Sequence, residues 1–371
     1  VFEIGSVSKV FTTTLLAEMQ VRGEVRLDDP IARFLPDSVR VPSRNGREIT
    51  LLDLATSTSG LPRLPDNFTP ADPTNPYADY EVRHMYTFLS GYALPRDPGA
   101  SYEYSNFGMG LLGHLLALRA GMSYEELVTQ RILTPLGMRD TRIELTPRLR
   151  ARLATGHGAD LQPVRNWDIP VLAGAGGWRS TASDMLRFLA AAVTPPPGPL
   201  GRALAMAMAP RRATGNPGLQ IGLGWHVLER DGRRIAWHNG ETGGYHSFLG
   251  LDPASGANVV ALANSAIDID DIGLHLLDPT IPVRHPPPPR PTVAVDAAVL
   301  ERYVGRYDLT PEFAIDVTRE GEALFVQATG QPRFRVYAAS ATRFFLRVVE
   351  AEVGFTLDAS GTVTGLVLYQ G

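Results

Sequence analysis

The 371-residue chain contains no cysteine, and 35 of its residues are Lys or Arg, of which a single one, Lys9, is lysine. Without cysteine there can be no disulfide, no thiolate metal site and no cysteine nucleophile. No apolar run reaches the ~18 residues that a membrane-spanning helix needs. No G-x-S-x-G elbow occurs, which disfavours a conventional Ser-His-Asp arrangement. The glycine-rich run Gly174-Ala175-Gly176-Gly177-Trp178 lacks the Lys-Ser/Thr that would make it a phosphate loop. The eight histidines are scattered, with no H-x-x-x-H or other paired spacing, so neither metal nor cofactor is expected. A net charge of −4 gives no reason to expect nucleic acid or an anionic membrane as partner. The oligomeric state is not legible. At 44% hydrophobic and 20% charged residues, the composition is that of a globular protein long enough for two domains.

The lone lysine stands in S-x-x-K, three residues after Ser6. The apolar residues that follow, Val10, Phe11, Leu15, Leu16 and Met19, have helical spacing. With Ser6 in the first turn, Lys9 returns to the same face, its nitrogen beside the hydroxyl. The helix N-terminus favours an alkoxide there and disfavours an ammonium. Arginine keeps its proton in proteins, whereas a desolvated lysine can lose it. A chain that otherwise uses arginine for positive charge has kept lysine where a base would be needed. A surface lysine placed there by chance is the plain alternative. A free lysine titrates near ~10.4, so a second group is expected to share the proton work.

Further helices are expected at 31–35, 51–56, 81–92, 108–118, 123–132 and 185–192, with residues 62–80 and 145–170 as loops. Tyr104-x-Asn106 stands just before the apolar helix at 108. A tyrosinate there could accept the serine proton and the amide could meet a substrate carbonyl; aromatic packing beside a helix cap is the ordinary reading. Tyr102 reads as structural. Later, strands at 222–228 and 234–238 flank the turn Arg230-Asp231-Gly232-Arg233, and 247–251 and 257–263 continue an antiparallel meander. In His238-x-Gly240 the glycine would let substrate approach the strand, and the amide of Glu241 could join that of Ser6 in holding an oxyanion. His238 could equally be a zinc ligand or a packed strand histidine.

A proline-rich linker at 284–293, centred on His285-Pro286-Pro287-Pro288-Pro289-Arg290-Pro291, separates a first domain, 1–283, from a second, 294–371. Six short strands expected at 314–318, 323–328, 334–337, 343–348, 354–357 and 363–369 suggest a small antiparallel barrel. The chain opens at Val1 and not at methionine, so residues are expected to precede it in the natural protein.

Taken in order, Ser6-x-x-Lys9, Tyr104-x-Asn106 and His238-x-Gly240 resemble the penicillin-recognising serine hydrolases, whose signature is S-x-x-K, S/Y-x-N and K/H-x-G. The tyrosine points to the class C β-lactamase branch, with its D-alanyl-D-alanine carboxypeptidases and endopeptidases, D-aminopeptidases and family VIII esterases. The stretches at 27–30, 58–62 and 176–181 look like that branch too, and the tail looks like a lipocalin-like domain. The resemblance implies an α/β fold: an antiparallel sheet flanked by helices, with a helical subdomain. It implies that Ser6 attacks the carbonyl, Lys9 and Tyr104 share the proton work, Asn106, His238 and Gly240 bind substrate, and the amides of Ser6 and Glu241 form the oxyanion hole. It implies a small-molecule or peptide substrate and a periplasmic or secreted location. His238 stands where many class C enzymes carry a lysine, which favours peptidase or esterase activity over efficient β-lactam hydrolysis. In that family a helix and strands also come before the nucleophile, so the part that forms them is expected to precede Val1 in the natural protein. The competing reading is a sensing protein that acylates without turnover.

Overall fold

In the computed structural model the described residues are 1–284, 290–311, 313–331, 333–347, 349 and 351–370. The middle of the expected linker, residues 285–289, lies outside them. The chain divides into two compact units, Val1–Gly158 with Pro163–Val283, and Ala159–Gln162 with Arg284–Gly371.

The first unit is built on a six-stranded antiparallel sheet in which each strand pairs with the next in sequence. The strands are β1 (Arg212–Ala213), β2 (Leu219–Ile221), β3 (His226–Arg230), β4 (Arg233–Thr242), β5 (Tyr245–Asp252) and β6 (Ala257–Ala263). Asp231 and Gly232, both with positive φ, form the two-residue turn between β3 and β4. That turn matches the right-handed twist of the flanking strands.

Helix α1 (Ser8–Val21) runs through the centre of this unit. Every residue from Ser8 to Met19 is buried, so the helix has no solvent face and lies in the core as a fully enclosed element. Phe11 packs between Trp178 and Phe188, with ring centroids 6.0 and 4.7 Å away. Helix α2 (Asn106–Ala120) begins two residues earlier than its apolar run suggests, because Ser105 caps it by accepting from the Gly108 amide at 2.8 Å. Helix α3 (Ala182–Val193) is capped by Thr181 in the same way.

Two helices of eight residues or more have no counterpart in the sequence reading. Helix α4 (Pro199–Met208) packs on α1 through buried Leu200, Ala203, Leu204 and Ala207. It is hidden because the proline-rich connection before it runs into Pro199, which is itself the first helical residue. The short helix α5 (Asp270–Leu277) packs against β5 and β6. Conversely, the helix expected to run to 132 passes at Thr129–Leu133 into a π-helical turn.

The second unit is a barrel-like antiparallel meander of seven strands, β7 (Gly305–Thr310), β8 (Phe313–Glu320), β9 (Ala323–Ala328), β10 (Arg333–Ala338), β11 (Arg343–Phe345), β12 (Ala351–Leu357) and β13 (Val363–Gln370). β7 was not expected, since its Gly-Arg-Tyr-Asp-Leu-Thr alternates only weakly. Tyr303 and Phe355 stack at the centre of this core at 4.0 Å, with Phe344 edge-on to both. No helix among the described residues is long and apolar enough to cross a membrane.

Candidate active site

Ser6 lies in a 3-10 turn, Gly5–Val7, that feeds directly into α1. The turn is braced from several sides. The Ile4 amide donates to the Trp178 carbonyl, and the Ile4 carbonyl accepts from the Ser247 hydroxyl at 2.8 Å. The Trp178 amide donates to Ser8 Oγ at 3.1 Å. Strand β4 presses against this turn at its two glycines. A methyl group on Gly240 would fall 2.0 Å from the Ile4 carbonyl oxygen and 2.9 Å from the Ser6 nitrogen, and one on Gly5, whose φ is +47°, would fall 2.7 Å from the Glu241 nitrogen. The glycine of His238-x-Gly240 is therefore required by the turn that carries Ser6, a closer constraint than access for substrate.

One turn along α1, Lys9 is 1% exposed. Its Nζ lies 3.0 Å from Ser6 Oγ, 2.8 Å from Asn106 Oδ1 and 2.7 Å from the Ala175 carbonyl oxygen. The amide and carbonyl oxygens can only accept. A neutral amine has two N–H bonds and one lone pair, so those two acceptors take both hydrogens and the lone pair is left facing the Ser6 hydroxyl. Burial lowers the Lys9 pKa well below its ordinary value, and the positive charge of Arg63 lowers it further. Both favour the neutral form.

Tyr104 and Asn106 reach the site from the start of α2. Asn106 is fixed through its own amide, which donates to the Arg63 carbonyl at 3.0 Å. The Tyr104 ring lies 4.7 Å from Lys9 Nζ. Burial raises the Tyr104 pKa, and the nearby Ser6 hydroxyl offsets only part of this. Tyr104 is therefore a neutral phenol at neutral pH, able to donate a proton to Ser6 Oγ or to a group bound there. This differs from the tyrosinate considered from the sequence, and the reason is desolvation. His238 is 1% exposed, 6.3 Å ring-to-ring from Tyr104, and its pKa is driven well down by burial and then by His226 and Lys9. Its Nδ1 faces the Asn239 carbonyl, which only accepts, so Nδ1 carries the proton and Nε2 the lone pair. The structure thus gathers Ser6, Lys9, Tyr104, Asn106, His238, Gly240 and Glu241 around one turn.

The sequence profile of the beta-lactamase family matches residues 1–274. The chain belongs to the beta-lactamase family. A second profile, a domain of unknown function (DUF3471), matches residues 289–370. Penicillin-binding protein 4* of Bacillus subtilis (strain 168) is 28% identical over all of this chain and 85% of its own length. The D-alanyl-D-alanine-carboxypeptidase/endopeptidase AmpH of Escherichia coli (strain K12) is 32% identical, over 51% of this chain and 48% of its own length. The crystal structure of a beta-lactamase/D-alanine carboxypeptidase from Yersinia pestis complexed with citrate superimposes with a TM-score of 0.64 at 25% identity, over 71% of this chain and 78% of that one.

Several residues of this beta-lactamase-family cleft were not legible as site residues. Ala175 holds Lys9 through its backbone, which no side-chain pattern announces. Tyr77 and Trp167 line the cleft beside Ser6, with ring centroids 5.5 Å apart. Both come from stretches read as surface loops. The two loops are joined by Asn75 and Asp168, which exchange hydrogen bonds of 3.0 and 2.7 Å. The Trp167 amide donates to buried Glu3, and the Trp167 carbonyl accepts from Arg179. An isolated tryptophan in an otherwise polar, irregular run was the available signal.

Among the described residues, one group has the makings of a cation site: His246, Asp268 and Asp270, whose ligand atoms lie within 4.8 Å of one another. His246 follows Tyr245 on β5 and precedes Ser247, so it projects from the sheet face opposite the Ser6 turn. Its Nε2 is 3.0 Å from Asp270 Oδ1, while its buried Nδ1 has no partner. A metal on Nε2 would move the ring proton to that unpartnered nitrogen, which argues for a plain His–Asp hydrogen bond.

Proposed function

We propose that the chain is a serine acyl hydrolase that forms an acyl-enzyme on Ser6. The observation that carries this reading is the placement of buried Lys9, whose Nζ is held 3.0 Å from Ser6 Oγ by Asn106 Oδ1 and the Ala175 carbonyl oxygen. In acylation the Ser6 proton passes to Lys9 Nζ as the Oγ–carbon bond forms. The amides of Ser6 and Glu241, which line the same cleft, are assigned to the developing oxyanion. Tyr104, as a phenol, donates to the leaving group and is reprotonated from Lys9. A water then attacks the ester by the reverse of these transfers. Asn106 orients the acyl group beside the Tyr77–Trp167 wall. The Lys9–Tyr104 pair titrates as a unit, so pH profiles report the pair.

The substrates this reading favours are D-amino-acid peptides and small esters, ahead of β-lactams, because His238 is held neutral and supplies no cation. A periplasmic or secreted location goes with this reading. A relative named as a D-alanyl-D-alanine-carboxypeptidase/endopeptidase leans the same way, while a relative from Pseudomonas fluorescens is named a beta-lactamase. Nothing in the comparisons favours acylation without turnover. The test is a time course with a chromogenic cephalosporin, a p-nitrophenyl ester and a D-Ala-D-Ala peptide, followed by intact mass. Turnover with a transient adduct that Ser6→Ala abolishes is expected. A permanent adduct would make the protein a sensor, and absence of any adduct would sink the reading.

A further inference from the structure

Strand β4 brings His238, Gly240 and the Glu241 amide to the Ser6 turn, but what ties this stretch down lies on the other face of the sheet. Asn239 and Glu241 alternate with His238 and Gly240, so their side chains leave the sheet on the side away from that turn. Across the ladder Asn239 stands opposite Phe248 of β5, and Glu241 opposite His246. Asp270, the first residue of α5, reaches both strands. Its Oδ2 accepts from Asn239 Nδ2 at 2.6 Å, and its Oδ1 lies 3.0 Å from Nε2 of His246, which is 5% exposed. A carboxylate only accepts, so this one side chain takes a hydrogen from each strand. The helix that carries it is seated closely on β5: a methyl group on Gly273 would fall 2.2 Å from the Phe248 ring, and one on Gly250 2.7 Å from Leu277. Its start is fixed too, because the Asp270 amide donates to Asp268 Oδ1 at 2.8 Å. Directly behind the clamped Asn239 side chain, the Asn239 carbonyl accepts from His238 Nδ1.

We propose that Asp270 is a positioning residue for the reaction at Ser6: from outside the cleft, it sets the place of the β4 segment that supplies His238 and the Glu241 amide. The inference rests on the hydrolase reading and extends its oxyanion assignment from the amide to the side chain that holds the amide's strand. An oxyanion donor is effective only when it already stands where the charge will develop. Slack in β4 at Asn239 moves the Glu241 amide relative to the Ser6 turn and weakens a contact made in the transition state. The ground-state substrate loses little by the same movement. The cost therefore falls on kcat and leaves KM nearly unchanged. Acylation and deacylation both pass through an oxyanion, so whichever step limits turnover reports it.

The experiment is a double-mutant cycle on p-nitrophenyl ester turnover in the full chain, with Asp270→Ala, Asn239→Ala and the two combined. Asp270→Ala should lower kcat by about tenfold, the scale of a modest misplacement, with KM within about twofold of the wild type. Asn239→Ala removes the side chain through which Asp270 acts and should lower kcat in the same way. The combined variant should then be no slower than Asp270→Ala, because both changes remove one contact. Asp270→Asn keeps the shape but has one acceptor oxygen for two donors, and should fall between Asp270→Ala and the wild type. The proposal is overturned by an unchanged kcat in Asp270→Ala, by a loss confined to KM, or by two losses that multiply in the combined variant. If Asp270→Ala does not fold, as judged by its urea midpoint, Asp270→Asn is read against the same outcomes. Absence of ester turnover and of a Ser6 adduct in the wild type breaks the hydrolase reading instead; wild-type turnover with unchanged variants breaks only the role of Asp270.

Discussion

The two units bury very different things. In the first, the interior contains Glu3, Lys9, three consecutive threonines of α1, Asp184, His238, His246 and Asp252 among its enclosed polar side chains. In the second, no described polar or charged side chain is fully buried, and the core is made of Leu300, Ile315, Val317, Val353, Phe355 and their neighbours. An apolar core needs only shape and area, whereas each buried polar group must find a partner or cost stability. A core that tolerates so many has been shaped by something besides stability, and one of its polar groupings surrounds Ser6. In the second unit Arg333 lies over Phe325 at 4.0 Å while pairing with Glu320, and Arg343 lies over Tyr369 at 3.7 Å while pairing with Glu352. Those contacts cover apolar surface while keeping the ion pairs at the surface.

This contrast can be broken at its strongest point first. Lys9→Met should slow acylation by roughly 10³-fold or more, within the range for a lost proton-transfer group, read as the rate of adduct formation by intact mass; near-normal acylation would return Lys9 to an ordinary core residue. Lys9→Arg should do no better, because a permanent charge would then be buried. In the second unit, Phe355→Ala should destabilise that core by about 3–5 kcal/mol, seen as a lowered unfolding midpoint in urea. An effect under 1 kcal/mol would show that its core is not packed as described. Tyr104→Phe should cost ~10²-fold in turnover, with acylation and deacylation both slowed in stopped-flow traces. An unchanged rate would leave Tyr104 as packing alone.

The smallest effect sharpens the comparison through pH. His226 stacks on His238 at 5.0 Å, and burial above all lowers its pKa to about 4. The folded state then binds fewer protons than the unfolded state between that value and the ordinary 6.5. The contribution of His226 is intact above 6.5 and is lost as pH falls towards 4. His226→Gln should flatten the acid side of the stability curve, measured as urea midpoints at pH 7.5 and 5. An identical slope in the variant would count against a neutral, buried His226.

Most of the site was legible because it resides in short local spacings. Ser6 and Lys9 needed only one helical turn, and Tyr104-x-Asn106 only a helix start. The turn at Asp231-Gly232 likewise announced itself by its residue types, and both take the positive φ such a turn needs. What escaped depends on the chain meeting itself far away. Ala175 reaches Lys9 across 166 positions through a carbonyl that every residue type shares. Trp167 gains its place from hydrogen bonds to Glu3 and Arg179. Arg63 was one arginine among many until its carbonyl was seen to hold Asn106. The missed helix α4 had its signal masked by the prolines that precede it.

The Ala175 carbonyl sets a limit on how this protein can change. A main-chain oxygen is encoded by no codon, so no point substitution deletes it, while Asn106 can be replaced in one step. Drift in the strength of the base is therefore open at position 106 and closed at 175, except by shifting the backbone. That backbone has little room: a methyl group on Gly174 would fall 3.0 Å from the Met109 carbonyl oxygen, and one on Gly177 3.0 Å from the Ala173 Cα. The lysine's placement beside Ser6 is in part inherited with the fold and not with any one side chain.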